Sequence, residues 1–355
     1  MSDLFKWKLL INVRSRKWDE RMVNIDMKLK TGVIGTNFIS DEFCDAVSRV
    51  PGVVLKAVFS RRQETGDAFA ARHSIPEVFT DYAEFLSSDI DAVYVASPNS
   101  VHCEQTLRAL EYHKHVLCEK VMAVNEDQVR SMIDCAHRNH VVLLEAMRPD
   151  FDPAFDAVGQ CLPRLGKLRR ATFEFCQYSG RYDDFRQGTV RNAFNPTLGN
   201  AAVMDIGVYC IHSLVRFFGM PENIKALSTK LDNGFDGSGI VLMEYKDMIA
   251  EAVYSKISAS VNPSVIQGEE GSLLIDHISR PGQLELRLRK SSRDELSGGS
   301  REFLPFTPAE NNMVFEIEKF AELIRKNETD HKYLQFSLDT IRVIDEVRRQ
   351  TGIKF

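Results

Sequence analysis

From residue 28 onward, short apolar and β-branched runs alternate with longer segments whose apolar positions recur at helical spacing. The runs at 29–34, 53–60, 92–96 and 115–119 read as strands, followed by helices at 38–49, 64–73, 101–112 and 125–139, with 141–146 closing the alternation as its sixth strand. Strands separated by helices of this length pair in parallel through right-handed crossovers, which predicts an α/β class and a doubly wound sheet. Ligands of such a sheet lie beyond the carboxyl ends of its strands.

Past Arg148-Pro149-Asp150 the rhythm changes. A helix at 204–218 and strands at 168–177, 224–231, 239–245, 249–257, 272–275 and 283–288 make this half an α+β domain with a mostly antiparallel sheet. Tyr245-Lys246-Asp247-Met248 joins two of these strands closely enough for a hairpin. Two helices close the chain, one opened by a capping-box pattern at Thr307 and Glu310, the other at about 336–349. The expected organisation is an extension at 1–26 outside the fold, a first domain at 27–148, and a second at 149–355 whose last helix is able to pack back on the first. The polar stretch 291–300 reads as a loop.

Composition narrows the function. A chain of 355 residues exceeds the usual single core, consistent with two domains. With 45 basic against 50 acidic residues the net charge is -5, which argues against nonspecific nucleic-acid binding and against an anionic membrane surface. Seven cysteines without a Cys-x-x-Cys pair read as reduced thiols, and the absence of a signal-peptide core or an 18-residue apolar run leads to a cytoplasmic expectation. There is no G-x-S-x-G, H-E-x-x-H, Walker A or zinc-ligand spacing, so hydrolytic and metal chemistry have no support and no metal is expected.

Three places carry candidate chemistry. Gly32-Val33-Ile34-Gly35-Thr36-Asn37 lies where the first strand turns into the first helix, a natural pyrophosphate site, and Asn37 is a residue able to replace a left-handed glycine. The second strand ends in Phe59-Ser60-Arg61-Arg62, without the carboxylate that binds a ribose 2′-hydroxyl. A hydroxyl and guanidinium groups suit a 2′-phosphate, so NADP is expected, with NAD the alternative. Later strands end in Ala96-Ser97-Pro98-Asn99 and Cys118-Glu119-Lys120, where Lys120 is positioned to lose solvent, lower its pKa and orient a substrate oxygen.

On the helix at 204–218, Asp205, Tyr209, His212 and Arg216 fall within roughly 60° of one another on an otherwise apolar surface. Asp205 and Tyr209 are the catalytic pair; His212 and Arg216 are expected to be satisfied structural groups. Arg181, Tyr182, Asp183, Arg191 and Asn195, in the polar stretch before this helix, are candidate contacts to substrate hydroxyls.

Together with Val95-Ala96-Ser97-Pro98-Asn99-Ser100-Val101-His102 and Met204-Asp205-Ile206-Gly207-Val208-Tyr209, these segments resemble the Gfo/Idh/MocA oxidoreductases from residue 28 to about 355, closest to the branch of dihydrodiol dehydrogenases and glucose-fructose oxidoreductase. The resemblance implies an N-terminal Rossmann domain, an open C-terminal sheet and self-association through that sheet. It also implies that Lys120 and Tyr209 serve the reaction and that Phe38, Pro98, Asn99, His102 and Glu119 join the cofactor site. Val121 replaces the proline of the family's Glu-Lys-Pro motif. The expected activity is NAD(P)-dependent hydride transfer to or from a secondary alcohol or carbonyl of a sugar, polyol or cyclic diol. The alternative is a nucleotide-binding regulatory protein without turnover.

Overall fold

The computed structural model describes residues 28–290 and 299–355, so the extension at 1–26 and nearly all of the loop at 291–300 lie outside the described residues. The first half alternates β1 (Leu29–Ile34), α1 (Phe38–Ser48), β2 (Val53–Phe59), α2 (Gln63–His73), β3 (Glu77–Phe79), α3 (Tyr82–Ser87), β4 (Ala92–Val95), α4 (Asn99–Glu111), β5 (His115–Glu119), α5 (Glu126–Asn139) and β6 (Leu143–Ala146). All six strands are parallel, in the order β3-β2-β1-β4-β5-β6. β3 is the strand that the pattern counts without bounding, because three residues at a sheet edge carry almost no periodicity.

The central strands are apolar over most of their length because helices cover both faces of the sheet. Every residue of β4 is buried, with Tyr94 stacked on Phe43 of α1 at 3.8 Å between ring centroids. The strand order reverses between β1 and β4, which opens a crevice at their carboxyl ends.

The second half contributes α6 (Pro153–Cys161), β7 (Leu168–Cys176), α7 (Gly180–Arg186), α8 (Val208–Phe218), β8 (Asn223–Lys230), β9 (Asp236–Tyr245), β10 (Met248–Ser255), β11 (Ser264–Gly268), β12 (Gly271–Ile275), β13 (Leu284–Leu288), β14 (Ser300–Phe303), α9 (Met313–Lys326) and α10 (Lys332–Thr351). Its 8-stranded sheet runs β14-β13-β12-β11-β7-β10-β9-β8 and is antiparallel except where β10 meets β7. The predicted hairpin joins β9 to β10. β11, β14, α6 and α7 were not expected; they are short and draw their order from neighbours, as Ile266 does by pairing with Ala171.

α8 packs on one face of this sheet, while the other presents Leu227, Leu242 and Ile249 at 74%, 42% and 59% exposure. The 23-residue segment Pro196–Phe218 is apolar and long enough to cross a bilayer, but it is the buried core helix of this half.

The last two helices return to the first sheet. α9 lays Met313, Ile317 and Phe320 beside α1, and α10 packs on α5, β6, α8 and β8. The expected capping box is corrected: α9 starts at Met313, where Asn311 Oδ1 accepts from the Met313 N–H at 3.1 Å, and Glu310 instead pairs with Arg49 at 2.8 Å. Burial of the Met313 and Ile317 face sets the start of this helix more strongly than a local Thr/Glu motif does.

Candidate active site

At the crevice, β1 is followed by Gly35, whose φ of +100° and missing Cβ allow close approach to the residue after β4: a Cβ there would lie 2.7 Å from the Ala96 carbonyl oxygen. Asn37 does not substitute for a left-handed glycine. Its φ is -95°, and it caps α1, with Oδ1 accepting from the N–H groups of Ile39 at 3.0 Å and Ser40 at 3.3 Å while Nδ2 donates to Ala96 O at 2.7 Å. Gly32 lies inside β1, where a Cβ would meet the Phe85 ring at 2.6 Å; it makes room for α3, not for a phosphate. Thr36 is half-buried in the turn, and Phe38, 68% exposed, stands at the mouth of the cleft.

Beyond the strand ends lies a cleft of ≈ 780 Å³. Ala96, Ser97, Pro98, Asn99, His102 and Glu119 line it from the first sheet. His102 is buried with one ring nitrogen 2.9 Å from Val121 O and the other 2.8 Å from Ser97 O, and burial pushes its pKa down. Asn99 Nδ2 donates across the cleft to Gly199 O at 3.0 Å. Ser97 Oγ is buried with no partner among the described residues. Ser60 is turned inward, its hydroxyl donating to Arg62 O at 3.0 Å, whereas Arg61 and Arg62 are exposed and form no ion pair among the described residues.

The second half brings Asp205 and Tyr209 to the opposite wall. Asp205 sits in a π-helical turn, Val203–Gly207, immediately before α8, which aims its backbone carbonyl and its carboxylate at the same lysine. Lys120 Nζ donates to Asp205 O at 2.7 Å and to Asp205 Oδ1 at 2.8 Å, and lies 5.2 Å from the centroid of the Tyr209 ring. The Lys120–Val121 peptide is cis. Glu119 accepts from the Tyr94 hydroxyl and, at 3.2 Å, from the Lys120 N–H. The Tyr209 hydroxyl makes no hydrogen bond among the described residues, although the ring is buried to 9% exposure.

The charges reverse one expectation. Burial pulls the Lys120 pKa down, but the Asp205 carboxylate outweighs it, and the net displacement is upward, so the lysine stays an ammonium. Burial opposes ionisation of Asp205, yet Lys120 and Lys256 hold its carboxyl well below the usual range. Burial pushes the Tyr209 phenol up against the opposing charges of Lys120 and Arg148.

Lys256 was not foreseen. It donates to Asp205 Oδ2 at 2.5 Å, and its signal was a lysine on the apolar side of a predicted strand, in register with the buried Ala250, Ala252 and Tyr254. Asn192 and Asn200, which also line the cleft, carried no signal.

Of the proposed substrate contacts, Arg181 and Arg191 line the cleft, the latter paired with Asp184 at 2.8 Å. The other three point elsewhere. Tyr182 packs in a cluster with Phe185 and Phe194, Asp183 accepts from the Tyr178 hydroxyl at 2.7 Å, and Asn195 Oδ1 accepts from the Thr197 N–H at 3.1 Å; local aromatic packing, a neighbouring hydroxyl and turn capping claim these side chains. His212 and Arg216 find structural partners, His212 3.0 Å from Asp150 and within 3.0 Å of Thr340 Oγ1, Arg216 3.1 Å from Asp156.

Residues 29–147 match the model of the Gfo/Idh/MocA oxidoreductase family with an NAD-binding Rossmann fold, and residues 163–274 match the C-terminal domain of the same family. The chain belongs to the Gfo/Idh/MocA oxidoreductase family. Among its curated relatives, scyllo-inositol 2-dehydrogenase (NADP(+)) of Bacillus subtilis is 42% identical over 92% of this chain and 98% of that protein. Trans-1,2-dihydrobenzene-1,2-diol dehydrogenase of Xenopus laevis is 32% identical over 70% and 76%. Among solved structures, the 3-ketoreductase KijD10 of Actinomadura kijaniata, in complex with NADP, shares the fold with a TM-score of 0.79 at 23% identity over 91% of this chain and 98% of that one.

A Gfo/Idh/MocA protein holds a dinucleotide, and the residues here fit one. The close approach at Gly35 and the α1 N-terminus lie on the cleft side of β1 and β4, where Ser97 also lines the cleft and its buried hydroxyl has no partner among the described residues.

Proposed function

We propose that this protein is an NADP-preferring dehydrogenase or reductase acting on a secondary alcohol or carbonyl carbon of a sugar, polyol or cyclic diol. One observation carries the reading: Lys120, Asp205 and Tyr209, from different domains, converge on one cleft beyond the strand ends. The NADP-dependent inositol dehydrogenase relative supports the cofactor and the polyol class. Residues 27–148 serve as the cofactor half and 149–355 as the substrate half. Residues near Gly35, Ser97 and Arg61 would hold the dinucleotide, with Arg61 at the 2′-phosphate.

When bound, NADP supplies hydride acceptance or donation at the nicotinamide. The chain manages the proton. The Tyr209 hydroxyl, without a hydrogen-bond partner among the described residues and on the wall of the cleft, takes the proton from the substrate alcohol during oxidation and returns it to the carbonyl oxygen during reduction. Lys120, held as an ammonium by Asp205, orients the substrate oxygen and opposes the burial that disfavours tyrosinate. Lys120 is therefore not the base.

Self-association through the bare face of the second sheet agrees with the exposure of Leu227, Leu242 and Ile249. A cytoplasmic setting agrees with seven free cysteines, five of them buried. The deciding experiment screens the purified protein against inositols, sugars and trans-dihydrodiols while following NADPH absorbance in both directions. Turnover of one class is expected; nucleotide binding without turnover of any class would favour the regulatory alternative.

A further inference from the structure

Asp205 stands between two lysines. Lys120 takes Oδ1 at 2.8 Å from the cleft side, and Lys256 takes Oδ2 at 2.5 Å from behind. Lys256 follows β10 on its buried face, its side chain 5% exposed. Its ammonium also donates to Ala193 O at 3.1 Å and lies 5.0 Å from the Phe194 ring centroid and 5.5 Å from that of Phe235. A buried ammonium is costly to desolvate, and a methionine would fill the same aromatic slot without that cost. The charge therefore calls for an explanation beyond packing.

We propose that Lys256 is a positioning residue for proton transfer: it neutralises and anchors Asp205 from behind, so that the Lys120 ammonium acts on Tyr209 and the substrate oxygen instead of being cancelled by Asp205. The proposal rests on the oxidoreductase reading above.

The surrounding groups make Lys256 decisive for the sign of the local charge. Tyr209 is faced by Lys120 and Glu119 from the end of β5, by Arg148 from the turn after β6, and by Asp205 from the π-helical turn. His102 of α4, near Lys120, has its pKa pushed down by burial, and Glu316 of α9, which faces Glu119 and Arg148, has its pKa pushed well up by burial. At the phenol the Glu119 and Asp205 carboxylates oppose Lys120 and Arg148, and Lys256, bonded to Asp205 from behind, gives these five groups together one positive charge in excess. An excess positive charge favours tyrosinate and a developing alkoxide.

The test compares Lys256→Met, Lys256→Gln and Lys256→Arg. Ionisation of Tyr209 is read as tyrosinate absorbance after a rapid pH jump, taken as the difference from the same variant carrying Tyr209→Phe. This titration needs no substrate, so it stands apart from the oxidoreductase reading, which fails separately if the parent turns nothing over. Met and Gln should raise the Tyr209 midpoint by about one pH unit or more and lower kcat for alcohol oxidation about tenfold at neutral pH, with recovery at higher pH and little change in KM. Arg should stay near the parent. Gln keeps a donor without the charge, so it gives the answer if Met does not fold. Midpoints and pH profiles of Met or Gln that superimpose on the parent would overturn the proposal, as would an Arg variant as impaired as Gln.

Discussion

In the proposed mechanism Tyr209 and Lys120 divide the proton chemistry by charge: the lysine is locked as a cation by Asp205, whereas the phenol is buried and without a hydrogen-bond partner among the described residues. Tyr209→Phe removes only the hydroxyl and should lower turnover by about 100- to 10,000-fold while NADPH binding, followed by fluorescence, persists. Lys120→Met should act on the same step, so the double variant should lose far less than the product of the two single losses. Near-parental kcat in Tyr209→Phe would remove the phenol from the mechanism. At the proposed 2′-phosphate position, Arg61 is exposed and unpaired among the described residues, so its guanidinium is available there. Arg61→Ala should weaken NADP by roughly 10- to 100-fold and NAD much less. Equal losses for the two cofactors in parallel titrations would place the 2′-phosphate elsewhere.

The π-helical turn before α8 brings Asp205 O and Oδ1 onto one lysine, and it depends on a buried acid on another element. Asp236, at the start of β9, accepts from the Val203 N–H at 3.0 Å with the Tyr254 and Ser228 hydroxyls beside it, and burial pushes its pKa up to about 7. A carboxyl whose folded pKa is raised binds its proton more tightly in the native state. Its stabilisation is full below the unfolded value near 4 and is lost as pH rises through about 7. Asp236→Asn keeps an acceptor for Val203 and a donor for the hydroxyls, and it cannot ionise. Its melting temperature should lie close to the parent's near pH 4 and exceed it near pH 8, as read by calorimetry across that range. A constant difference at both pH values would mean that Asp236 is not the titrating group.

At the scale of the whole molecule, the face of the second sheet away from α8 exposes apolar side chains among the described residues. Leu242 and Ile249 stand on adjacent antiparallel strands, exposed among the charged side chains of Lys225, Glu244 and Glu251, a mixed face on which self-association is proposed. Leu242→Glu together with Ile249→Glu should convert the parent assembly to monomers in sedimentation velocity, with melting temperature reporting whether each chain remains folded. An unchanged mass would move the interface away from this face.

Much of the molecule was legible before folding because its signals are local. The alternation of strands and helices follows from apolar runs buried on both sides, and Lys120, Asp205 and Tyr209 stood out at a strand end and on an apolar helix. Gly35 was legible as a turn. What tertiary structure decided depends on groups distant in sequence. The Lys120 pKa moves up instead of down because Asp205, 85 residues away, supplies a carboxylate that no local reading of the strand end includes. Tyr182, Asp183 and Asn195 leave the cleft because nearby rings and turn amides claim them, and α9 begins at Met313 because the face it buries against α1 outweighs a capping motif. Lys256 was hidden for the same reason: on the buried side of a strand its charge looks like an error of pattern until Asp205 arrives from another element to pair with it. The sequence by itself determined the elements and most of the chemical groups, since periodicity and residue type are local properties; the charge states and the aim of each side chain were decided by packing, since they are sums over neighbours that only the folded chain assembles.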